Sequence, residues 1–130
     1  MKLALSERPE SFVDFWTERH LCVLSTVRGN GTVHATPVGV TLDLKTGIAR
    51  VICSGTSQKA RLIGVTGAAV AVTQVDGRRW STLEGRAVVN DDPEAVADAV
   101  RRYTERYKQP RENPLRVAIE ITVTRILGNA

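Results

Sequence analysis

The chain has 130 residues, 42% hydrophobic and 25% charged, which suits one globular domain over residues 1–130 with a single core. No apolar run could span a membrane and no segment resembles a signal peptide, so we expect a cytoplasmic protein. The net charge of +4 favours anionic ligands, but sparse aromatic residues and the lack of a dense basic block argue against nucleic acid.

The first third of the chain predicts one helix and three strands. Its first segment, SERPESFVDFWTERH, spaces apolar residues as an amphipathic helix does. Asn30 and Gly31 favour a hairpin turn because both residue types tolerate positive φ. Pro37 interrupts the second strand, which indicates an edge, a bulge or a contact with a ligand. The helix is predicted over residues 6–20 and the strands over residues 21–27, 32–42 and 48–53.

The rest of the chain continues with alternating helices and strands. Ser57 and Gly64 suit the two ends of a short helix, and Asp92 followed by Pro93 suits the start of a longer one. Six short strands joined mostly by hairpin turns predict a small antiparallel β-barrel with flanking helices. Side chains fill the interior of such a barrel, so a sizeable ligand would bind in an outer groove or at a subunit interface. The remaining strands are predicted over residues 68–75, 80–90 and 116–127.

The segment SGTSQK, residues 54–59, combines three hydroxyls, a glycine and a lysine before a predicted helix. Free N–H groups in the first turn of a helix favour a phosphate, and Lys59 would add a positive charge. A capping Ser57 with a solvated Lys59 explains the same residues equally well. The spacing of a Walker loop is absent.

Other candidate residues have structural alternatives. Arg79 and Arg111 could bind carboxylates, although interspersed acidic residues favour a solvated surface for most of the arginines. Trp80 could stack on an aromatic ring, or could serve as a core or dimer contact. His34 lies on the strand that carries Pro37 and could edge a site, or could be structural. No spacing typical of a metal site or of a hydrolytic triad occurs, so we predict no metal and name no catalytic residue.

Four segments together resemble a known family. They are ARVICSGTSQKARLI, VAVTQVDGRRWSTLEGRAVV, RYTERYKQPRENP and VAIEITVTRILG. In this order they are similar to the flavin/deazaflavin oxidoreductases of the split β-barrel fold, relatives of pyridoxamine-phosphate oxidase, and especially to the small F420-dependent biliverdin reductases. The resemblance implies a split β-barrel and a homodimer with a site at each subunit interface.

The implied activity is hydride transfer from reduced coenzyme F420 to biliverdin, which yields bilirubin. Alternatives are reduction of a quinone or another conjugated acceptor with F420 or FMN, and binding of flavin or heme without catalysis. Coenzyme F420 carries a phosphate and an oligoglutamate tail, and biliverdin carries two propionates. Both ligands would therefore suit a basic protein.

The resemblance also assigns residues. Gln58 stands where the FMN oxidases carry arginine, and the C-terminal tryptophan-and-arginine motif for pyridoxal is absent, which favours F420 over FMN and argues against pyridoxamine-phosphate oxidation. The implied cofactor-binding residues are Pro37, Val38, Ser54, Thr56, Ser57, Gln58, Lys59 and Trp80. The candidate substrate-binding residues are His34, Arg79 and Arg111.

Overall fold

A computed structural model describes residues 5–130 as one antiparallel sheet of seven strands with three α-helices around it. The mainly β, split-barrel fold predicted from the sequence is confirmed. The strand order is β2-β1-β5-β6-β7-β4-β3. The strands are β1 Cys22–Val27, β2 Val33–Val38, β3 Thr41–Asp43, β4 Ile48–Ser54, β5 Ala68–Asp76, β6 Arg79–Asn90 and β7 Arg116–Gly128. The helices are α1 Glu10–Thr17, α2 Gln58–Ile63 and α3 Pro93–Arg106, and a short 3₁₀ turn spans Leu5–Glu7.

The predicted strand over residues 32–42 is divided into β2 and β3. Val23 of β1 pairs with Pro37 of β2, whereas β3 pairs with β4 at the opposite edge of the sheet. Only Gly39 and Val40 connect the two edge strands. The sheet therefore curls until its two edges approach each other, and the link between β2 and β3 crosses the remaining gap.

The predicted β1–β2 turn and the predicted caps of α2 and α3 are confirmed with one refinement, whereas α1 is shorter than the helix predicted over residues 6–20. Residues 28–32 join β1 to β2, and a hydrogen bond from the Arg28 N–H to the Thr32 carbonyl (2.7 Å) closes the turn over residues 29–31. Of the two predicted turn residues, Asn30 and Gly31, only Gly31 has positive φ. Ser57 caps α2 and Gly64 ends it. Asp92 caps α3 by accepting a hydrogen bond from the Ala95 N–H.

The core lies inside the curled sheet. On β7, Ile119, Ile121 and Val123 are fully buried, as their alternation predicts. Phe12 and Trp16 of α1 cover one end of this core. Each large apolar side chain that is fully buried contributes roughly 1.5–3 kcal/mol, so one continuous core stabilises the whole sheet. Within residues 5–130, no helix has both the length and the apolar character needed to cross a bilayer.

Candidate functional site

A cleft of 290 Å³ lies between the end of β2, the loop from β4 to α2, and the segment that follows α3. We call it the Lys59 cleft. It brings together four predicted cofactor-binding residues from β2, β4 and α2, namely Pro37, Val38, Ser54 and Lys59. No carboxylate lies among the described residues that line it, which are Pro37, Val38, Gly39, Ile52, Cys53, Ser54, Lys59, Tyr103, Pro110, Asn113 and Arg116.

The hydroxyl groups of the loop before α2 are held in a local hydrogen-bond network. The Ser57 hydroxyl donates to the Ser54 carbonyl (2.7 Å) and accepts from the Ala60 N–H (3.4 Å). The Ser54 and Thr56 hydroxyls lie 2.9 Å apart, and the Ser54 hydroxyl also accepts from the Thr56 N–H. Ser57 is thus committed to shaping the loop, while the Ser54–Thr56 pair can turn a donor toward a ligand.

Gly55 fastens this loop to β7. Its N–H donates to the Leu115 carbonyl at 2.7 Å, and a Cβ at this position would lie 3.2 Å from that oxygen and 3.3 Å from Val117 Cγ1. The glycine therefore permits close packing against the protein's own chain. Because Ser54 pairs with Arg116 across β4 and β7, this packing holds Arg116 beside the loop.

The cleft carries positive charge that acidic groups do not neutralise. Neither Lys59 nor Arg116 forms an ion pair within the described part of the chain. Elsewhere, Arg79 pairs with Glu18 and Asp76, and other arginines are paired in the same way. Those others are Arg50, Arg101, Arg102 and Arg125. The two unpaired cations make the cleft suitable for an anion.

The C-terminal end of α3 forms the wall of the cleft beside Gly39. The rings of Tyr103 and Tyr107 stack with their centroids 4.9 Å apart. The Tyr107 hydroxyl donates to the His20 carbonyl (2.6 Å) and accepts from the Val40 N–H (3.0 Å). Burial raises the pKa of Tyr107 to about 12, so this hydroxyl keeps its proton and its role as a donor at physiological pH.

A Gly39→Ala substitution should weaken ligand binding in the cleft. A Cβ at Gly39 would lie 2.7 Å from Tyr103 Cε2 and 3.0 Å from Tyr107 Cε2, so one ring must move. We expect a several-fold rise in the Kd of the bound ligand. Gly29→Ala is the matched control, because a Cβ there meets no atom within 4 Å. Equal dissociation constants for both variants, measured by fluorescence titration, would contradict this role for the tyrosine wall.

The other predicted residues lie outside the cleft. Thr56 and Gln58 belong to the loop and helix beside it, and Arg111 is its close neighbour, since the Arg111 carbonyl accepts a hydrogen bond from Arg116 Nη2. Trp80 and Arg79 lie at the start of β6, at the β5–β6 hairpin. In a single chain these two residues do not line the Lys59 cleft, and their predicted roles stay predictions.

His34 lies on β2 opposite Thr26 of β1, three positions before Pro37. The His34 Nδ1 and Thr26 Oγ1 atoms are buried, and neither has a hydrogen-bond partner within residues 5–130. His34 does not line the cleft. Its predicted contact with substrate likewise stays a prediction.

Sequence reasoning missed several residues of the cleft. Tyr103 lies in a quoted segment and Arg116 begins a predicted strand, but a tyrosine on a helix and a basic residue at a strand start carry no distinguishing signal. Gly39 also has no motif around it. Its function depends on which side chains pack against it, and only the folded chain specifies them.

Four strands also expose an apolar face on the outside of the sheet. Val23, Val27, Val33, Val75 and Trp80 are between 41% and 65% exposed, and we call this set the apolar sheet face. Val27 pairs with Val33, and Val75 pairs with Trp80. An exposed apolar patch of this breadth is typical of an interaction surface.

Comparisons with known proteins agree with the fold. The sequence matches the family described as pyridoxamine 5'-phosphate oxidase over residues 9–130. A curated protein named F420H(2)-dependent biliverdin reductase, from Mycobacterium tuberculosis (strain CDC 1551 / Oshkosh), is 53% identical over 116 residues, which cover 89% of this chain and 84% of that protein.

Solved structures show the same fold at lower identity. A protein titled F420 Reductase superposes with a TM-score of 0.74 at 24% identity and covers 92% of this chain and 98% of its own. The General Stress Protein 26 from Bacillus anthracis str. Sterne superposes with a TM-score of 0.72 at 21% identity, covering 92% and 91%. The family match spans nearly the whole chain, and the chain therefore belongs to the pyridoxamine 5'-phosphate oxidase family.

Proposed function

We propose that this protein is an oxidoreductase that uses reduced coenzyme F420 to reduce biliverdin to bilirubin. The observation that carries the proposal is the 53% identity to an F420H(2)-dependent biliverdin reductase. The Lys59 cleft supports it independently, because it offers an anion-binding end and an apolar wall within one groove.

The residues of the cleft fit a phosphorylated deazaflavin. Lys59 would hold the phosphate, with hydroxyl donors from Ser54 and Thr56. Pro37 and Val38 would contact the flat ring system. When bound, the reduced coenzyme supplies a hydride to the acceptor. The protein's part is to orient two flat molecules and to exclude water, and we assign no side chain as general acid.

The substrate's propionates need cationic partners. Arg111 is the stronger of the two predicted arginines, because it adjoins the cleft and has no acidic partner in the part of the chain that the structure describes. Arg79 is neutralised by Glu18 at 2.9 Å and Asp76 at 2.8 Å, which reduces its attraction for a carboxylate.

Both cysteines are free thiols, which suits the reducing cytoplasm.

We also propose that the protein is a homodimer joined through the apolar sheet face. The five side chains that define this face are uncharged, so they can meet the same side chains of an identical copy without repulsion. Pro37 pairs with Val23 of the face and also lines the Lys59 cleft. A second copy on the face would therefore lie next to the cleft, where its residues could help to enclose the ligand.

A Val27→Glu substitution should convert the dimer to a monomer. Val27 and its partner Val33 lie on the apolar sheet face, and a buried unpaired carboxylate there would be strongly unfavourable. Val65→Glu is the matched control, because Val65 is 75% exposed in the loop after α2. Sedimentation should give the monomer mass for Val27→Glu, and the dimer mass for both the parent protein and Val65→Glu. A monomeric parent protein, or a dimeric Val27→Glu variant, would overturn this interface.

Absorbance of the cofactor tests the main proposal. Purified protein is mixed with reduced F420 and biliverdin, and the oxidation of F420 is followed alongside the appearance of bilirubin. A parallel titration with F420 and FMN identifies the preferred cofactor. If F420 is not oxidised above the rate without protein, the biliverdin assignment is wrong. Replacing biliverdin by quinones then tests the alternative of another conjugated acceptor.

A further inference from the structure

We propose that Arg116 is a second phosphate-binding residue, which contacts the cofactor phosphate from β7 while Lys59 contacts it from α2. The inference rests on the proposed function for the identity of the cofactor, but its physical basis is the geometry of the cleft. It assigns a ligand-binding role to a residue outside the loop of residues 54–59.

The backbone holds Arg116 in a fixed position beside that loop. Arg116 is the first residue of β7 and pairs with Ser54, the last residue of β4. Its N–H donates to the Asn113 carbonyl at 3.1 Å, and the neighbouring Leu115 carbonyl accepts from the Gly55 N–H at 2.7 Å. The loop and the start of β7 therefore form one unit, and Arg116 is placed relative to Ser54 before any ligand binds.

The guanidinium group is also oriented, and it remains available. Arg116 Nη2 donates to the Arg111 carbonyl at 2.5 Å, which fixes the plane of the group without neutralising its charge. Arg116 is half-buried and lines the same 290 Å³ cleft as Lys59. A guanidinium has five donors in a planar fork, so one carbonyl contact leaves others for phosphate oxygens.

The charge balance of the site calls for a second cation. A phosphate group carries at least one full negative charge, and Lys59 is the one cation of α2 that lines the cleft, since Gln58 is neutral and Arg61 does not line it. Arg116 is the other cation of the cleft, and in residues 5–130 it has no acidic partner. Two cations on separate elements would contact different oxygens of one phosphate, and would together distinguish a phosphorylated cofactor from its unphosphorylated form.

The test uses an Arg116→Gln variant and three deazaflavins. These are F420, F420-0, which keeps the phospholactyl group but has no glutamate, and FO, which lacks both. We expect the Kd of F420 and of F420-0 to rise about ten- to a hundredfold, since one charge-assisted contact is lost, while the Kd of FO stays unchanged. Arg101→Gln is the control, because Arg101 is exposed on α3 and already paired with Glu105. Thermal unfolding shows whether each variant is folded.

Other outcomes overturn the inference. A loss of affinity for F420 but not for F420-0 would assign Arg116 to the glutamate tail. An equal change for all three ligands, or no change, would exclude a phosphate contact. If Arg116→Gln does not fold, an NMR titration of the unaltered protein replaces the variant. The Arg116 Nε–H resonance should then shift when F420-0 is added but not when FO is added. A shift with both ligands, or with neither, also overturns the contact.

Failure of the proposed function can be distinguished from failure of the Arg116 phosphate contact. If the unaltered protein binds none of the three deazaflavins, the F420 assignment fails, and the same variants are titrated with FMN and riboflavin, which differ only by the phosphate. A selective loss of FMN affinity in Arg116→Gln would then support the phosphate contact. If Arg116→Gln keeps the parent protein's preference for FMN over riboflavin, or if neither flavin binds, the phosphate contact is overturned.

Discussion

Lys59→Ala should weaken F420 binding about ten- to a hundredfold without unfolding the protein, since a hydrogen bond to a charged group contributes roughly 1.5–3 kcal/mol. Lys59 lines the cleft and forms no ion pair with a described residue, so its removal takes away charge without leaving a buried carboxylate unpaired. The effect should therefore appear in binding and not in stability.

Fluorescence titration with F420 measures the change, and circular dichroism checks the fold. Lys45→Ala is the matched control, because Lys45 is an exposed lysine in the turn between β3 and β4. The Kd of Lys45→Ala for F420 should equal that of the parent protein. If Lys59→Ala binds F420 as tightly as Lys45→Ala does, Lys59 does not hold the phosphate.

Arg106→Ala should lower the free energy of unfolding by about 3–4 kcal/mol, the sum of several lost bonds to a charged donor. Arg106 lies at the end of α3 and donates to the carbonyls of Glu18 (2.8 Å) and Val40 (2.5 Å). It also donates to Gln74 Oε1 at 2.8 Å. Gln74 is only 1% exposed, so water cannot readily replace the lost donor.

Urea unfolding followed by circular dichroism measures this loss. Arg101→Ala is the control, because Arg101 is on the same helix but exposed, with only surface ion pairs to lose, and we expect little change in its unfolding midpoint. Similar midpoints for the two variants would show that Arg106 does not anchor α3. The Val40 carbonyl lies next to Gly39, so Arg106→Ala should also disturb the cleft.

Local patterns in the sequence predicted much of the fold because they have a short-range physical cause. The alternation along β7 places Ile119 and Ile121 on one side of the strand, and burial of that side follows directly. Ser57 and Gly64 act within one turn of α2, so their roles as caps need no information from distant parts of the chain. The division of β2 from β3 was not predicted, because the backbone of the link bonds to distant residues: the Val40 N–H donates to the Tyr107 hydroxyl, 67 positions later.

The candidate site was only partly predictable for the same reason. Arg101 and Arg106 both follow the predicted helix pattern, yet Arg101 is exposed and Arg106 donates to four acceptors in the rest of the fold. No spacing rule separates them, because the difference depends on how α3 is rotated against the sheet. Local patterns singled out Pro37 and Lys59, the family resemblance assigned both to one cofactor, and the fold brings them into one cleft.

The two-residue link between the edge strands has a consequence for motion. Gly39 and Val40 cross the gap at which the sheet is open, and this is where the fold can separate with the loss of fewest strand contacts. We expect a ligand lying along Pro37 and Gly39 to favour the closed form and therefore to oppose this local opening by mass action. The amide hydrogen of Val40 should exchange with deuterium more slowly as the cofactor concentration rises, so that exchange rate would report how far the barrel is closed.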